Sequence, residues 1–245
     1  MHQGLDPYHQ PAVLVLTGAG ISADSGLATF RGQDGLWEGH NIEEVATLGA
    51  WVRNPALVWR FYQLRRAALA DVEPNPAHYA LCALERELAQ RDLEFTLVTQ
   101  NVDDLHDRAG SNPLHMHGEL KTLICQSCGT KTFDETHLSP TDFVPCSNCD
   151  APRLRPHIVW FGERPLHMPA IEARLARATH VVVIGTSGLV YPAAGFLSAA
   201  RATGAATFVN SLEEPANLHA SDHFLPGRAS EVVPKLVEDL LAELS

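Results

Sequence analysis

The stretch Val13-Leu14-Val15-Leu16-Thr17-Gly18-Ala19-Gly20-Ile21-Ser22-Ala23 constrains this chain more than any other. Its apolar run with β-branched members predicts a buried strand. The run breaks at Gly18-Ala19-Gly20, and Ile21-Ser22-Ala23 continues at helix-compatible spacing. Gly18, Gly20 and Ala23 thereby fill the G-x-G-x-x-G/A turn. In such a turn the first glycine permits a tight reversal, and the second lets the backbone approach a pyrophosphate. The small third residue lets the helix close on the sheet, aiming free N–H groups and the helix dipole at the anion. A dehydrogenase would place a second strand, ending in Asp or Glu, about 20 residues later. Here Phe30 to Gly39 is Gly-rich and polar and reads as a mobile loop. A dinucleotide site of unusual construction is expected.

Asn54-Pro55 and Asn75-Pro76 each set an N-cap before a proline at N1. They predict helices from Pro55 to about Ala70 and from Pro76 to about Gln90. Leu57, Phe61, Leu64 and Ala68 are the expected core stripe of the first, and Leu81, Leu84 and Leu88 that of the second. Cys82 is expected to be an inert core residue. Strands are expected at Glu94–Thr99, Leu114–Met116, His180–Gly185 and Ala205–Asn210. Helices are expected at Met168–Ala178 and Ala193–Thr203, and Ser230 is expected to cap a last helix through Leu244. This alternation predicts an α/β fold, a Rossmann-like doubly wound parallel sheet built from residues 1–118 and 156–245.

Residues 119–155 read as an insert. Cys125-x-x-Cys128 and Cys146-x-x-Cys149 stand seventeen residues apart, the zinc-ribbon spacing. Each knuckle offers two thiolates, and two knuckles close a tetrahedron with no position left for water, so one structural zinc is expected. Paired C-x-x-C motifs suit a reducing compartment better than disulfides do. The first ten residues hold no apolar signal-peptide core, and no apolar run nears the roughly 20 residues that span a bilayer. Cytoplasm is therefore the expected location. A net charge of -11 argues against nucleic-acid and membrane-surface partners and leaves basic protein substrates open.

A Gly-Ala-Gly-Ile-Ser turn, Thr99-Gln100-Asn101-Val102-Asp103, and His117-Gly118 just before the four cysteines occur in this order. With Phe30-Arg31, Trp160-Phe161-Gly162-Glu163 and Gly185-Thr186-Ser187, they resemble the sirtuins, the NAD-dependent protein lysine deacylases. The resemblance runs from Val13 to about Leu236. It implies that His117 is the general base toward the NAD ribose, and an imidazole of ordinary pKa near 6.5 can accept a proton at neutral pH. It implies a catalytic role for Asn101, which with Gln100 would orient the ribose, while Asp103 would hold the nicotinamide carboxamide. Ala19, Ile21, Phe30 and Arg31 would line the nicotinamide side. Gly185, Thr186, Ser187 and Asn210 would hold the adenosine half. Further implied NAD contacts are Gly18, Gly20, Ser22, Asp24, Trp37, Val102 and Ala229. The family's Asn-x-Glu after the last strand is displaced here, so the adenosine-ribose contact falls among Ser211, Leu212 and Glu213.

Val159, Trp160 and Phe161 resemble the strand that pairs with the substrate peptide. His106, His115 and His157 are expected to be structural. The implied chemistry consumes NAD. Nicotinamide leaves C1′ of the ribose and the acyl-lysine carbonyl oxygen attacks there. His117 then helps the neighbouring hydroxyl attack the imidate, and water releases lysine and O-acyl-ADP-ribose.

Tyr62 and Arg65 stand three apart on the helix from Pro55, in a stripe otherwise apolar with Val58 and Leu69. A guanidinium fork there suits a carboxylate. Tyr-x-x-Arg at this place, with Ala23 after Ile21-Ser22, resembles class III sirtuins, which prefer succinyl, malonyl and related acidic acyl groups. The implied partners are acylated-lysine proteins or peptides. Two other readings stay open. Mono-ADP-ribosyl transfer from the same NAD site would move label from NAD to protein. A non-catalytic NAD or acyl-lysine binding module would need no base at His117.

Overall fold

The central strands of the main sheet are buried on both faces, which is why they read as unbroken apolar runs. The computed structural model describes residues 10–28, 36–37 and 40–245. Among these, the chain opens with β1 (Ala12–Thr17), the single-turn α1 (Ala19–Ala23), and two short strands, β2 (Leu36–Trp37) and β3 (His40–Asn41). Helices α2 (Ile42–Val45), α3 (Leu48–Arg53), α4 (Pro55–Ala68) and α5 (Pro76–Gln90) lead to β4 (Glu94–Thr99). Next come α6 (Leu105–Ala109), β5 (Leu114–His115), β6 (Gly118–Ile124), β7 (Lys131–Phe133) and β8 (Arg155–Ile158). The chain closes through α7 (Met168–Leu175), β9 (His180–Ile184), α8 (Phe196–Ala202), β10 (Ala206–Ser211), β11 (His223–Pro226) and α9 (Ala229–Glu243).

The six-stranded sheet has the order β11-β10-β9-β1-β4-β5, with every pairing parallel. The chain winds from β1 one way to β4 and β5, then returns to the far side of β1 for β9, β10 and β11. This is the doubly wound arrangement expected. Val13, Val15, Leu97, Val182 and Ile184 pack on Leu81, Leu84 and Leu88 of α5 and on Val233, Leu236 and Val237 of α9. Leu14, Leu16, Val98, Val181 and Val183 pack on the opposite layer, with Ile171, Leu175, Leu197 and Ala200. A third core gathers Trp51, Trp59, Tyr62, Leu120, Leu123, Cys125, Cys146, Leu154 and Trp160. The apolar interior of the four-cysteine insert is thus continuous with α2–α4, through the small antiparallel sheet β7-β6-β8.

Three expectations need correction. The buried face of α4 is Val58, Trp59, Phe61, Tyr62, Gln63 and Arg66. Of the expected stripe only Phe61 is buried; Leu57 is half-buried, and Leu64 and Ala68 are exposed. The helix is rotated because Gln63 and Arg66 find backbone acceptors in the insert. Ser230 does not cap α9, which follows Arg228; its hydroxyl donates instead to Asp24 Oδ2 at 2.6 Å. Within the stretch read as a loop, Leu36–Trp37 pairs with His40–Asn41, while residues 30–35 and 38–39 lie outside the described residues. Helices α2 and α3, capped by Asn41 and Thr47, were not expected at all.

Candidate active site

Strand register brings the site together. Thr17 stands level with Thr99 and Ile184, and Ile184 with Asn210, so β1, β4, β9 and β10 end along one edge. Ligands of open α/β sheets bind at that edge. There the two glycine turns interlock. Gly18 N–H donates to Ile184 O at 2.9 Å and Gly20 N–H to Gly185 O at 2.8 Å. A Cβ on Gly20 would lie 2.6 Å from Gly185 Cα, and one on Gly185, at φ +65°, would lie 2.5 Å from Ile21 N. The bare α-carbon of Gly20 is therefore needed first for the contact with Gly185. Ala19, Ile21 and Ser22 follow in α1, with Ile21 and Ser22 buried.

The residues after β4 form one hydrogen-bonded cluster with α1. Asn101 Nδ2 donates to Gly18 O at 3.2 Å and to Ser22 Oγ at 3.1 Å, and Ser22 Oγ donates to Asp103 Oδ2 at 3.1 Å. Asp103 Oδ1 accepts from Leu105 N–H. Burial pushes the Asp103 carboxyl above its usual range, against the pull of those two donors. Both amide hydrogens of Asn101 are committed, so Oδ1 is the atom it keeps for another partner. Beneath the cluster, Thr17 Oγ1 lies 2.9 Å from Thr99 Oγ1 and 3.0 Å from His106 Nε2. His106 and His115 are buried, and His115 faces Asp107 at 3.0 Å. His157 is buried as well.

His117 sits two residues past β5. Its Nδ1 is 2.9 Å from Gln100 O, and a carbonyl can only accept, so Nδ1 carries the proton and Nε2 the lone pair. Burial lowers its pKa below the ordinary value, partly countered by that hydrogen bond. The His117 ring thus favours its neutral form, with its tautomer fixed by the bond to Gln100 O. Gly118, at φ +82°, lets β6 pass β8, because a Cβ there would fall on His157 O.

Among the described residues, the buried polar atoms near this edge without a protein partner include Gln100 Nε2 and Asn210 Oδ1. Asn210 uses its amide hydrogens on Leu225 O at 2.8 Å and Gly227 O at 3.2 Å. A ligand rich in hydroxyl and ring-nitrogen groups fits both atoms, as NAD would. Thr186 is half-buried and Ser187 exposed beside them. Asp24 is turned elsewhere, accepting from Arg228 at 2.7 Å and Ser230 at 2.6 Å. Ser211 bonds Glu213 O, Leu212 is exposed, and Ala229 is buried at the start of α9. Val102 is half-buried. Phe30 and Arg31 lie outside the described residues, as does the side chain of Trp37.

At the other end, Val159 N–H donates to His117 O, and Phe161 N–H to Ala46 O, both at 2.9 Å. Trp160 is fully buried. Its N–H bonds Glu163 Oε2 at 2.9 Å, and its indole donates to Tyr62 OH at 2.9 Å. Arg155 lies over the Trp160 ring at 3.9 Å and forks onto both Glu163 oxygens at 2.8 Å. That pair was not foreseen, though opposite charges flanking an apolar strand are its sequence signal. Tyr62 is fully buried, which pushes its phenol above the usual range. Arg65 is half-buried, its guanidinium 5.7 Å from the Phe61 ring.

The four sulfurs of Cys125, Cys128, Cys146 and Cys149 lie within 4.8 Å of one another. Two pairs are 3.6 Å apart, and a tetrahedron with legs of about 2.3 Å has edges of about 3.8 Å. The knuckles are built alike. Cys125 N–H donates to Thr130 O and Cys146 N–H to Ala151 O. Gly129 and Asp150, both at positive φ, donate back to Cys125 O and Cys146 O. The donor set fits one structural zinc.

A model of the Sir2 family matches residues 18–192. An NAD-dependent protein deacylase of Caulobacter vibrioides is 53% identical over 234 residues, covering 95% of this chain and 98% of that protein. One of Escherichia coli (strain K12) is 49% identical over 240 residues, covering 96% and 84%. A crystal structure of a Sir2 homologue–NAD complex superposes with TM-score 0.83 at 37% identity, over 96% of this chain and 91% of that one. A structure of Sir2 bound to acetylated peptide gives 0.76 at 26% identity, over 96% and 94%.

Proposed function

This chain belongs to the Sir2 family, and from that premise we propose that it removes acyl groups from protein lysines while consuming NAD, favouring acyl groups that end in a carboxylate. The general activity is that of an NAD-dependent protein deacylase. Succinyl- and malonyl-lysine are the favoured substrates, with acetyl-lysine also accepted. The observation that carries the preference is Arg65, half-buried one turn from Tyr62 on the face of α4 that meets Trp160. An arginine in such a setting matches a carboxylate in charge and shape. Tyr62 is fully buried in this conformation, so Arg65 is the first partner of the acyl carboxylate and Tyr62 its support.

NAD, when bound, supplies a ribose carbon from which nicotinamide departs and a neighbouring hydroxyl. Gln100 Nε2 and Asn210 Oδ1 are the atoms that would hold it, with the Asn101–Ser22–Asp103 cluster on the nicotinamide side. His117 takes the hydroxyl proton at Nε2, because the bond to Gln100 O fixes the other nitrogen as the donor. Burial keeps the ring neutral near pH 7 and ready to accept. The zinc module holds structure and takes no part in proton transfer. No helix among the described residues is long and apolar enough to cross a membrane, which is compatible with the cytoplasmic setting we favour.

Mass spectrometry of acetyl-, succinyl- and malonyl-lysine peptides, with and without NAD, tests this reading. Loss of the acyl group only with NAD, fastest for the acidic acyls, is expected. Label passing from NAD onto protein in place of acyl loss would favour ADP-ribosyl transfer instead.

A further inference from the structure

We infer that Trp59, Gln63 and Arg66 are positioning residues for acyl selectivity, because they clamp α4 to residues 134–139 of the four-cysteine module. The inference rests on the carboxylate preference proposed above. Residues 59, 63 and 66 follow i, i+4, i+7 spacing and so share one helix face. Trp59 Nε1–H donates to Ser139 O at 3.1 Å and Gln63 Nε2 to His137 O at 3.2 Å. Arg66 Nη1 donates to His137 O at 3.3 Å and to Gln63 Oε1 at 2.7 Å. Arg66 Nη2 donates to Asp134 O and stands 3.5 Å from Asp134 Oδ2. Asp134 Oδ1 in turn accepts from Thr136 and His137 N–H, at 3.0 and 2.9 Å, which folds the receiving turn.

All three side chains are buried, Trp59 and Gln63 to within 1% and Arg66 to within 3%. Buried donors are costly unless each meets an acceptor. The rotation of α4 about its axis is therefore set by where those carbonyls stand. Tyr62 and Arg65 ride on the same rigid helix, one residue before Gln63 and Arg66. Any rotation that unseats the clamp swings them by the same angle. An error of about 1 Å in a positioning contact can cost on the order of 100-fold in rate. Acetyl-lysine has no carboxylate, so its turnover does not sense this rotation.

The test uses full-length Arg66→Lys, Gln63→Met and Trp59→Phe; each removes a donor of the clamp, the first two at similar volume and the third also shortening a buried ring. kcat and KM are measured for succinyl- and acetyl-lysine peptides, with zinc content and thermal melts in parallel. The expected result is a raised KM for succinyl-lysine at nearly unchanged kcat. The succinyl-to-acetyl ratio of kcat/KM should fall about 10-fold in Arg66→Lys and roughly 3-fold in the other two. A quotient of two activities does not depend on the folded fraction, so partial unfolding of one variant leaves the result readable. Equal losses for both peptides, or an unchanged ratio in variants that melt like the wild type, would overturn the inference. Arg65→Met separates the two layers. If it removes the preference while the clamp variants keep it, only the clamp falls; if the wild type shows no preference, both fall.

Discussion

The sheet edge and the α4–zinc half of this molecule hold their groups with different balances of backbone and side-chain bonds. At the sheet edge the backbone holds the glycine turns and His117, while one side-chain cluster, Asn101–Ser22–Asp103, ties α1 to the end of β4. Gly18, Gly20 and Gly185 interlock through main-chain bonds, strand register levels the turns, and His117 is oriented by the carbonyl of Gln100. In the α4–zinc half the side chains do the holding. Trp160 donates to Tyr62, Arg155 forks onto Glu163, and Trp59, Gln63 and Arg66 reach across to the insert. A backbone device tolerates almost no substitution, which suits a reaction centre. A side-chain device can be retuned one residue at a time, which suits selectivity among acyl groups.

The largest effect should come from the metal, since it closes the side-chain half. Binding free energy at such sites is folding free energy, about 10–16 kcal/mol for small zinc domains. One zinc per chain is expected by elemental analysis. Chelation should melt the module with its shared core while β1, β4, β9 and β10 retain protected amides. A zinc-free protein with the fold intact would break the comparison at its base. Next in size is His117→Ala, expected to lower deacylation by about 10²–10⁴ for succinyl- and acetyl-lysine alike, with NAD affinity little changed. A loss confined to one acyl group would place His117 in the selectivity half instead.

A smaller effect belongs to the sheet-edge half alone. Burial pushes His78 down to about 4 and His106 well below its ordinary value. Unfolded, both take protons near 6.5, so the unfolded chain binds more protons between there and about pH 4. Stability contributed by the neutral rings is complete above 6.5 and is lost as pH falls through that window, by about 3 kcal/mol for His78. His78 Nδ1 accepts Asn75 N–H at the start of α5, so its protonation also removes that cap. Thermal melts from pH 7 to 4.5 should show this slope, and His78→Gln should flatten it. An unchanged slope would mean that other groups carry the acid sensitivity.

What could be read in the sequence divides along the same line. The turn at Gly18, the strands to Thr99 and Ile184, the helix starts at Asn54-Pro55 and Asn75-Pro76, and the paired cysteines are local signals. Each is set by residues a few positions apart. The stripe on α4 was misread because hydrophobic periodicity separates only core from water. Gln63 and Arg66 are buried for a third reason, acceptors more than 65 residues away. Ser230 was misread likewise, since its partner Asp24 lies 206 positions off. Gly20 was assigned to a ligand, and the structure adds Gly185 as the neighbour that needs it bare.

The central claim, that the sheet edge reacts and the α4 half selects, is tested most directly by Arg65→Met. kcat/KM should be measured for succinyl- and acetyl-lysine peptides at one salt concentration, beside the wild type. A charge-assisted hydrogen bond is worth about 1.5–3 kcal/mol, so succinyl turnover should fall roughly 10- to 150-fold. Acetyl turnover should stay level or rise slightly. Equal losses for both peptides would contradict the account, leaving Arg65 as a support of the fold.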